Sequence, residues 1–316
     1  MLRLVMGRLN TTLVTLVLVS VMVFGLLEIL PGDACTAYLG RGAKGSILET
    51  CREEFGLNRP ALERFGEWAG GLLQGDLGIS MHRNKPIDEL VGWRLRNTVL
   101  LAFVAAVVGI PIAIFLGVLS GLKRNRPTDV GLSSLALLAM SVPEFVTATA
   151  LILVFNIGLG WTTGIVTLGA QAPLWDLLAP TVLPTATLCF LLMAHIQRMV
   201  RSSVIDTLES DFVAMARLKG VPYWRLVWRH VLPNSLLPTV NVIGLTLAWL
   251  LSGVVVIETV FNYPGLGRLV VDAVTNRDLP MLQCLSLLLA AIYIGVNTLA
   301  DLAALLLNPR LRTLRT

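Results

Sequence analysis

The sequence predicts an all-α integral membrane protein with six transmembrane helices. Of its 316 residues, 55% are hydrophobic and only 14% are charged, whereas a soluble protein has about 25% charged residues. Six apolar stretches reach the length of about 20 residues that a helix needs to cross a bilayer. Lysine and arginine flank these stretches as membrane anchors do, so the net charge of +5 does not indicate nucleic-acid binding. Membrane lipid is the expected surrounding.

The six apolar stretches follow one another along the chain. We predict spans at residues 11–31, 98–122, 130–157, 177–196, 236–257 and 279–307. Prolines interrupt several of them, which a membrane helix tolerates because neighbouring groups satisfy the freed carbonyls. The first span is longer than the 7–15 apolar residues of a signal peptide and has no A-x-A cleavage site, so we expect it to remain uncleaved.

The distribution of lysine and arginine predicts which loops face the cytoplasm. With the N-terminus inside, the inner segments carry two, three, six and three of these residues in chain order. The two short outer loops, about 158–176 and 263–278, carry none and two. The outer segment 32–96 carries nine, but segments of that length cross the membrane largely regardless of charge. We therefore predict that both termini are cytoplasmic.

The chain divides into two parts. Residues 1–97 hold the first span and a helical outer (periplasmic) segment, and residues 98–316 hold five spans with a cytoplasmic loop at 198–235. In the outer segment, Pro60 is placed to open a helix with one apolar face, and Pro86 to open a short helix that leads into the second span. Two interpretations of this segment remain open: a lid on the membrane surface, or a docking surface for an outer partner.

The chain has four cysteines. Cys35 and Cys51 both lie in the outer segment, where an oxidising compartment permits a disulfide. Two free thiols are the alternative. Cys189 and Cys284 lie in apolar spans and are expected to pack as small hydrophobic residues.

Residues 211–233 are the most informative stretch of the cytoplasmic loop. Their sequence, DFVAMARLKGVPYWRLVWRHVLP, is charged and helical in pattern although it lies between two apolar spans. It has small residues at Ala214, Ala216 and Gly220 and ends in Leu-Pro. This arrangement resembles the cytoplasmic coupling loop of ABC importer permeases, whose pattern is E-A-A-x-x-x-G-x(9)-I-x-L-P. Three positions depart from it, since the acidic first residue, the second alanine and the isoleucine are missing.

The resemblance implies that this loop contacts an ATPase. Small residues permit the close approach of two helices, and basic residues give polar contacts at the rim. The implied contact residues are Ala214, Ala216, Arg217, Gly220, Val221, Trp224, Leu232 and Pro233. An ordinary amphipathic helix at the membrane interface is the alternative.

Other stretches resemble the dipeptide/oligopeptide/nickel family of ABC importer permeases. Each is weak alone, but together they occur in the family's order along nearly the whole chain. They are Leu30-Pro31-Gly32-Asp33, Gly56-Leu57-Asn58-Arg59-Pro60, Gly75-Asp76-Leu77-Gly78, Ser141-Val142-Pro143, the stretch from Glu258 to Gly267, Arg277-Asp278 and Asn308-Pro309-Arg310. The last has Asn where the family has Asp.

The resemblance implies a type I ABC importer permease fold in a bacterial inner membrane. The implied partners are a second homologous permease subunit, one or two cytoplasmic ATPase subunits, and a periplasmic or lipid-anchored substrate-binding protein. ATP and Mg would be bound by the ATPase subunits, so this chain is expected to bind no cofactor and not to be an enzyme. The implied solutes are peptides or peptide-like molecules, with nickel or another small solute as the alternative.

Polar residues inside membrane spans are costly and are candidate functional residues by default. Glu144 lies beside a proline in the third span, and Glu258 lies at the outer end of the fifth. Asn297 and Asp301 share one face of the sixth span, four residues apart. These are candidates for a translocation path, where a carboxylate would suit the amino group of a peptide or a cation. A structural hydrogen bond is the alternative for each.

The outer turn after the fifth span is a candidate gate of that path. Phe261, Pro264 and Gly265 belong to it, with Glu258 below. A non-helical turn at this depth is tolerable only where it is buried in protein or lines a water-filled cavity. A static connection between helices is the alternative.

Two other classes of protein are less consistent with the sequence. An ATPase-independent channel or secondary transporter would be favoured by inverted repeats, and none is visible. A membrane-embedded enzyme needs paired catalytic groups at one depth, and none occurs at a recognisable spacing. The three histidines have no metal-ligand spacing, and the G-x(4)-G-K-[ST] phosphate-binding loop does not occur, so no metal or ATP site is expected in this chain.

Overall fold

The fold is described from a computed structural model, which describes residues 2–29, 34–39 and 45–307. In chain order the helices are α1 (Leu2–Ile29), α2 (Ala34–Leu39), α3 (Ser46–Glu54), α4 (Ala61–Gln74), α5 (Ile87–Leu122), α6 (Pro127–Ser141), α7 (Glu144–Leu151), α8 (Leu174–Leu178), α9 (Val182–Leu208), α10 (Asp211–Leu218), α11 (Tyr223–Leu226), α12 (Leu232–Gly253), α13 (Val255–Val260), α14 (Leu266–Thr275) and α15 (Leu279–Leu307). Two π-helical segments, π1 (Ile152–Gly158) and π2 (Val227–Val231), and an antiparallel pair of strands, β1 (Ile79–Ser80) and β2 (Lys85–Pro86), complete the described elements.

The described helices confirm the predicted all-α membrane architecture. Five of them are long and apolar enough to cross a bilayer, and a bent pair of helices, counted as one span, gives six. The motifs at 30–33 and 308–310, and the C-terminal end, lie outside the described residues.

The second span is longer than predicted. α5 begins at Ile87 and runs unbroken to Leu122, so the separate short helix predicted after Pro86 is the first part of this span. Between residues 87 and 97 the only residue that disfavours a helix is Gly92, and a single glycine is tolerated within a helix. The additional turns, residues 87–97, contain charged residues and extend α5 outward from its charge-free part at 98–122.

The third span is not the single helix that the sequence predicted. It consists of α6 followed by α7 and π1, and its two halves meet at an angle of 106°. The break falls at Val142, which has extended backbone angles. Pro143 accounts for this, because proline disfavours the helical conformation in the residue before it and lacks the amide hydrogen that a helix needs. Glu144 therefore begins α7 and does not lie in the middle of a helix.

The centre of the molecule is the packing of α5 against α9. Small residues face α9 along α5 at intervals of four: Ala105, Gly109, Ala113, Gly117 and Gly121, all of them buried. A methyl group on Gly117 would lie 2.6 Å from Val200 Cβ, and one on Gly121 would lie 2.8 Å from Val204 Cβ. Small residues at this spacing let two membrane helices approach closely.

The remaining spans surround this pair. α12 packs against α15 and α9, α6 packs against α9, and α1 packs against α15. α1 exposes apolar side chains around most of its circumference, including Leu13, Val17 and Val21, as expected of a helix at the lipid boundary.

The loops gather at two ends of the bundle, which the charge distribution predicts to face opposite sides of the membrane. At one end Asn97 contacts the 159–173 segment and the turn after α13, and Ser80 contacts Asp278. At the opposite end, Arg124 pairs with Glu209. We refer to these as the outer and inner ends.

Candidate functional site

The inner loop between α9 and α12 folds into a compact helical unit. α10 ends at Leu218 and is followed by Gly220, whose φ of +75° is in the left-handed region that glycine adopts without strain. The Val221 amide donates to the Ala216 carbonyl at 3.2 Å, which closes the end of α10. Val213, Leu226 and Val231 are buried in the main core. These contacts fix the loop to the bundle.

Large apolar and aromatic side chains are exposed on this loop, among charged ones such as Arg217, Lys219 and Arg225. Six large side chains are exposed there, with Trp224 at 66%, Trp228 at 68% and Leu218 at 82% of their maximal accessible area. We call them the inner aromatic surface: Phe212, Met215, Leu218, Tyr223, Trp224 and Trp228. Several large apolar side chains exposed together on a folded loop indicate a candidate interaction site.

The structure divides the predicted contact residues of the loop into two groups. Ala214, Arg217, Gly220, Trp224 and Pro233 are exposed, and Val221 and Leu232 are half-buried. Ala216 is buried, because its side of α10 faces the chain's own core.

Sequence reasoning missed five members of the inner aromatic surface. These are Phe212, Met215, Leu218, Tyr223 and Trp228. A signal was available, since Phe212, Met215 and Leu218 recur every three residues on α10 and large apolar residues continue beyond it. It was overlooked because the small residues of the motif were given the main weight.

A buried ion pair holds the base of this loop. Both Oδ atoms of Asp129 accept hydrogen bonds from Arg201, at 2.6 and 2.8 Å. Asp129 also accepts from the Ser120 hydroxyl and from the Asn125 amide, at 2.9 Å for the amide. The network joins α9 to α6 and to the turn after α5. A bidentate arginine–carboxylate pair fixes geometry as well as adding energy, so the point from which the loop departs is rigid.

At the outer end, Glu258 is completely buried, with 0% of its area accessible. Its carboxylate accepts hydrogen bonds from the Thr98 hydroxyl at 2.6 Å and from the Arg268 amide at 3.2 Å. Arg268 is in the first turn of α14, where the helix dipole also stabilises a negative charge. A methyl group on Gly265 would collide with the Glu258 carboxylate. Glu258 therefore holds the outer turn against α5 and the start of α14.

Asn97 and Tyr263 complete the packing of the outer turn. The Asn97 side-chain amide donates to the carbonyl oxygens of Pro264 and Ala170, at 2.9 and 3.0 Å. The Tyr263 hydroxyl donates to the Asn97 carbonyl at 3.0 Å. Phe261, Tyr263, Pro264 and Gly265 are all buried. A non-helical turn at this depth must either be buried in protein or line a water-filled cavity. In this conformation the turn is buried in protein.

The predicted path residues have different surroundings in the described part of the chain. Asp301 forms an ion pair with Arg8 of α1, at 2.8 Å. Glu144 and Asn297 each have one buried oxygen with no hydrogen-bond partner in the described part of the chain. Glu258 is at the outer end, in the network described above.

In the outer segment, Cys35 and Cys51 are joined by a disulfide with a Cα–Cα distance of 5.9 Å. The two cysteines pack with Met81 and Leu279. Nearby, Asp278 precedes α15 and accepts hydrogen bonds from the Ser80 hydroxyl at 2.5 Å and the Met81 amide at 3.2 Å. Cys189 and Cys284 are free and buried.

Comparison with known proteins identifies the family. Residues 96–313 match the model of the binding-protein-dependent transport system inner membrane component. Residues 1–102 match the N-terminal model of the same membrane component. The chain belongs to this family. The protein is thus a multi-pass inner-membrane permease and a transport component of an ABC transporter, which works with ATPase and substrate-binding partners.

Relatives of this permease match over nearly their full length. A probable peptide ABC transporter permease of Sinorhizobium fredii is 34% identical over 98% of both chains. A putative peptide permease of Brucella ovis is 36% identical over 99% of both. The glutathione transport system permease protein GsiC of Escherichia coli is 35% identical over 99% of both.

A solved structure supports the fold of the permease. The crystal structure of an amino acid ABC transporter with histidines matches with a TM-score of 0.54, over 68% of this chain and 93% of that one, at 16% identity. Together with the family match, this confirms the predicted type I permease fold.

Proposed function

We propose that this permease forms the membrane channel of an ATP-driven importer for peptides or peptide-like solutes. The names of the relatives support this class of solute, since they are described as peptide and glutathione permeases. The inner aromatic surface carries the mechanistic part of the proposal. A large apolar patch on a rigidly held inner loop has the character of a docking surface for a cytoplasmic subunit.

The partners follow from this arrangement. One or two ATPase subunits dock on the inner aromatic surface, and bind and hydrolyse ATP with Mg, so this chain itself binds no cofactor. A second, homologous permease subunit completes the path, and a periplasmic or lipid-anchored binding protein delivers the solute at the outer end. Both termini lie on the cytoplasmic side. The turn at Phe261, Pro264 and Gly265 acts as the outer gate and is closed in the conformation described above.

The first prediction concerns docking of the ATPase. Replacing Trp224 and Trp228 together by alanine removes two exposed aromatic anchors, and such anchors carry 2 kcal/mol or more in many interfaces. We expect the affinity for the ATPase to fall by roughly 30-fold or more, with loss of solute-stimulated ATP hydrolysis in proteoliposomes.

Trp175→Ala is the control, because Trp175 is also an exposed tryptophan, at 82%, but lies at the outer end. Retention of the ATPase during purification by the double variant, with normal stimulated hydrolysis, would show that the surface serves another purpose. Uptake of labelled trialanine, compared with labelled nickel, tests the class of solute in the same vesicles. Nickel uptake without trialanine uptake would replace the peptide assignment by the alternative within the same family.

A further inference from the structure

The inner half of α9 has a polar exposed face. Between Thr187 and Leu208, four side chains of α9 are exposed: His195, Arg198, Ser202 and Asp206. All four are polar, and their spacing of three and four residues places them on one face of the helix. The face extends for about 16 Å along the axis at a rise of 1.5 Å per residue. On the same face nearer the outer end, Leu191 is half-buried, and Leu188 and Pro184 are buried.

The contact with α5 fixes the depth of this face. Gly117 lies against Gln197 and Val200 of α9, so Arg198 is level with about residue 116 of α5. α5 continues to Leu122 before its first inner charge, Lys123. The backbone of Arg198 is therefore about 10 Å from that end of α5, at 1.5 Å per residue.

The Arg198 side chain points deeper into the bundle. Its Nη1 atom is 3.4 Å from Met140 Sδ at the deep end of α6. Arg201, one turn later on α9, reaches Asp129 near the inner end of α6. The two arginines thus diverge to positions on α6 that are eleven residues apart, and Arg198 does not extend toward the inner interface as a membrane anchor would.

Lipid does not account for the polar face. Phe115 of α5 is at nearly the same depth as Arg198 and is 65% exposed, which suits contact with acyl chains. A charged side chain within a membrane faces the bundle interior, a partner charge or a water-filled cavity. Among the described residues, Arg198 has no carboxylate partner, and thioether sulfur is a weak acceptor.

We propose that the polar face of α9 lines a water-filled inner half of the translocation path, and that Arg198, with His195 one turn further out, binds the carboxylate of the transported solute there. Guanidinium groups recognise carboxylates through paired hydrogen bonds. The assignment of the solute's carboxylate rests on the proposed function, and the aqueous face does not.

The first experiment measures water access to α9. Single cysteines replace His195, Arg198 or Ser202 in a background with Cys189→Ala and Cys284→Ala, and Phe115→Cys is the control at equal depth. The assembled transporter in inverted vesicles is treated with a positively charged methanethiosulfonate. Labelling at 195, 198 and 202, with little at 115, is expected. Absence of labelling at all three α9 positions, or their cross-linking to the second permease subunit in every nucleotide state, would overturn the proposal.

The second experiment tests the carboxylate. Uptake of trialanine and of its C-terminal amide is measured for wild type, Arg198→Gln and Arg198→Lys. We expect Arg198→Gln to raise the KM for trialanine about tenfold with a small effect on the amide, which corresponds to about 1.4 kcal/mol, and Arg198→Lys to restore most of the difference. Equal effects on both peptides would refute carboxylate binding. If wild type transports neither peptide, the proposed solute class is wrong, while the labelling result still decides whether the face is aqueous.

Discussion

At the scale of single residues, Thr98 makes two buried hydrogen bonds at once. Its hydroxyl donates to Glu258 at 2.6 Å and accepts from the Leu266 amide at 2.8 Å. It thereby links α5 to α13 and to the start of α14. Nothing in its local sequence distinguishes this threonine, because its partners are about 160 residues away in the chain.

The second prediction follows from this pair of bonds. Thr98→Val keeps the size of the side chain but removes one of the two hydrogen bonds described for the Glu258 carboxylate and leaves the Leu266 amide without its partner in a buried site. Each unsatisfied group costs about 1–3 kcal/mol, so we expect a lower thermal midpoint in detergent, measured by fluorescence-detected size exclusion. Thr98→Ser retains the hydroxyl and is expected to stay close to wild type. A valine variant as stable as the serine variant would show that these bonds add little.

Residue chemistry alone predicted which polar side chains were unusual but not what each one contacts. Glu258 was singled out correctly as a costly buried group, yet its partners come from α5 and α14. Asp301 was a path candidate because a charged residue inside a span is costly, and the structure pairs it with Arg8 of the first span. Arg198 was counted as a residue of the inner loop, because its depth depends on how α9 is aligned with α5.

At the scale of elements, the disulfide closes a small helical hairpin at the outer end. α2 and α3 are joined through Cys35 and Cys51 and pack with Met81 and Leu279. Leu279 begins α15, and Met81 follows β1. The hairpin thus lies where the outer segment meets the sixth span, which makes its stability relevant to the whole outer end.

The third prediction concerns this disulfide. Closing a loop of this length stabilises by roughly 3 kcal/mol in the chain-entropy model. We expect Cys35→Ser with Cys51→Ser to lower the thermal midpoint, while Cys189→Ala with Cys284→Ala changes it little. Non-reducing peptide mapping of membranes prepared with a thiol-blocking reagent should recover the linked peptides. Recovery of both thiols in blocked form would contradict the linkage.

Element boundaries were predictable only where the chain itself carries a stop signal. Lys123 ends α5 close to the predicted residue, because a charge stops an apolar run. The bend in the third span was not foreseen, although Pro143 was noted as a kink. Proline signals a local break, whereas the size of the angle depends on what the two halves pack against, here α9 and α13.

At the scale of the whole molecule, the number of spans and the grouping of loops at two ends were predictable. Both follow from length, apolarity and the distribution of lysine and arginine, which are properties of the linear sequence. The packing of α5 on α9 and the burial of the outer turn were not predictable in the same way. They depend on contacts between distant segments, such as Asn97 with Pro264.

The fourth prediction concerns the outer gate. Pro264 is buried in this conformation, and Thr275 of α14 is exposed. In a background without the free cysteines, we expect Pro264→Cys to be unreactive to a water-soluble thiol reagent at rest and reactive when ATP and the loaded binding protein are added. Thr275→Cys should react in both states. Unchanged labelling at position 264 would leave the turn as a passive connection.

The glycine contact between α5 and α9 has a mechanical consequence. At Gly117 and Gly121 the backbone of α5 lies close to α9. No layer of flexible side chains separates the two helices there, so a displacement of α9 would move α5 with it. The inner loop continues directly from α9. On the outer part of α5, Asn97 donates a hydrogen bond to the turn after α13. From Asn97 to Leu122, α5 extends for about 38 Å at a rise of 1.5 Å per residue. A displacement of the inner loop would therefore be transmitted through α9 and α5 to the outer turn.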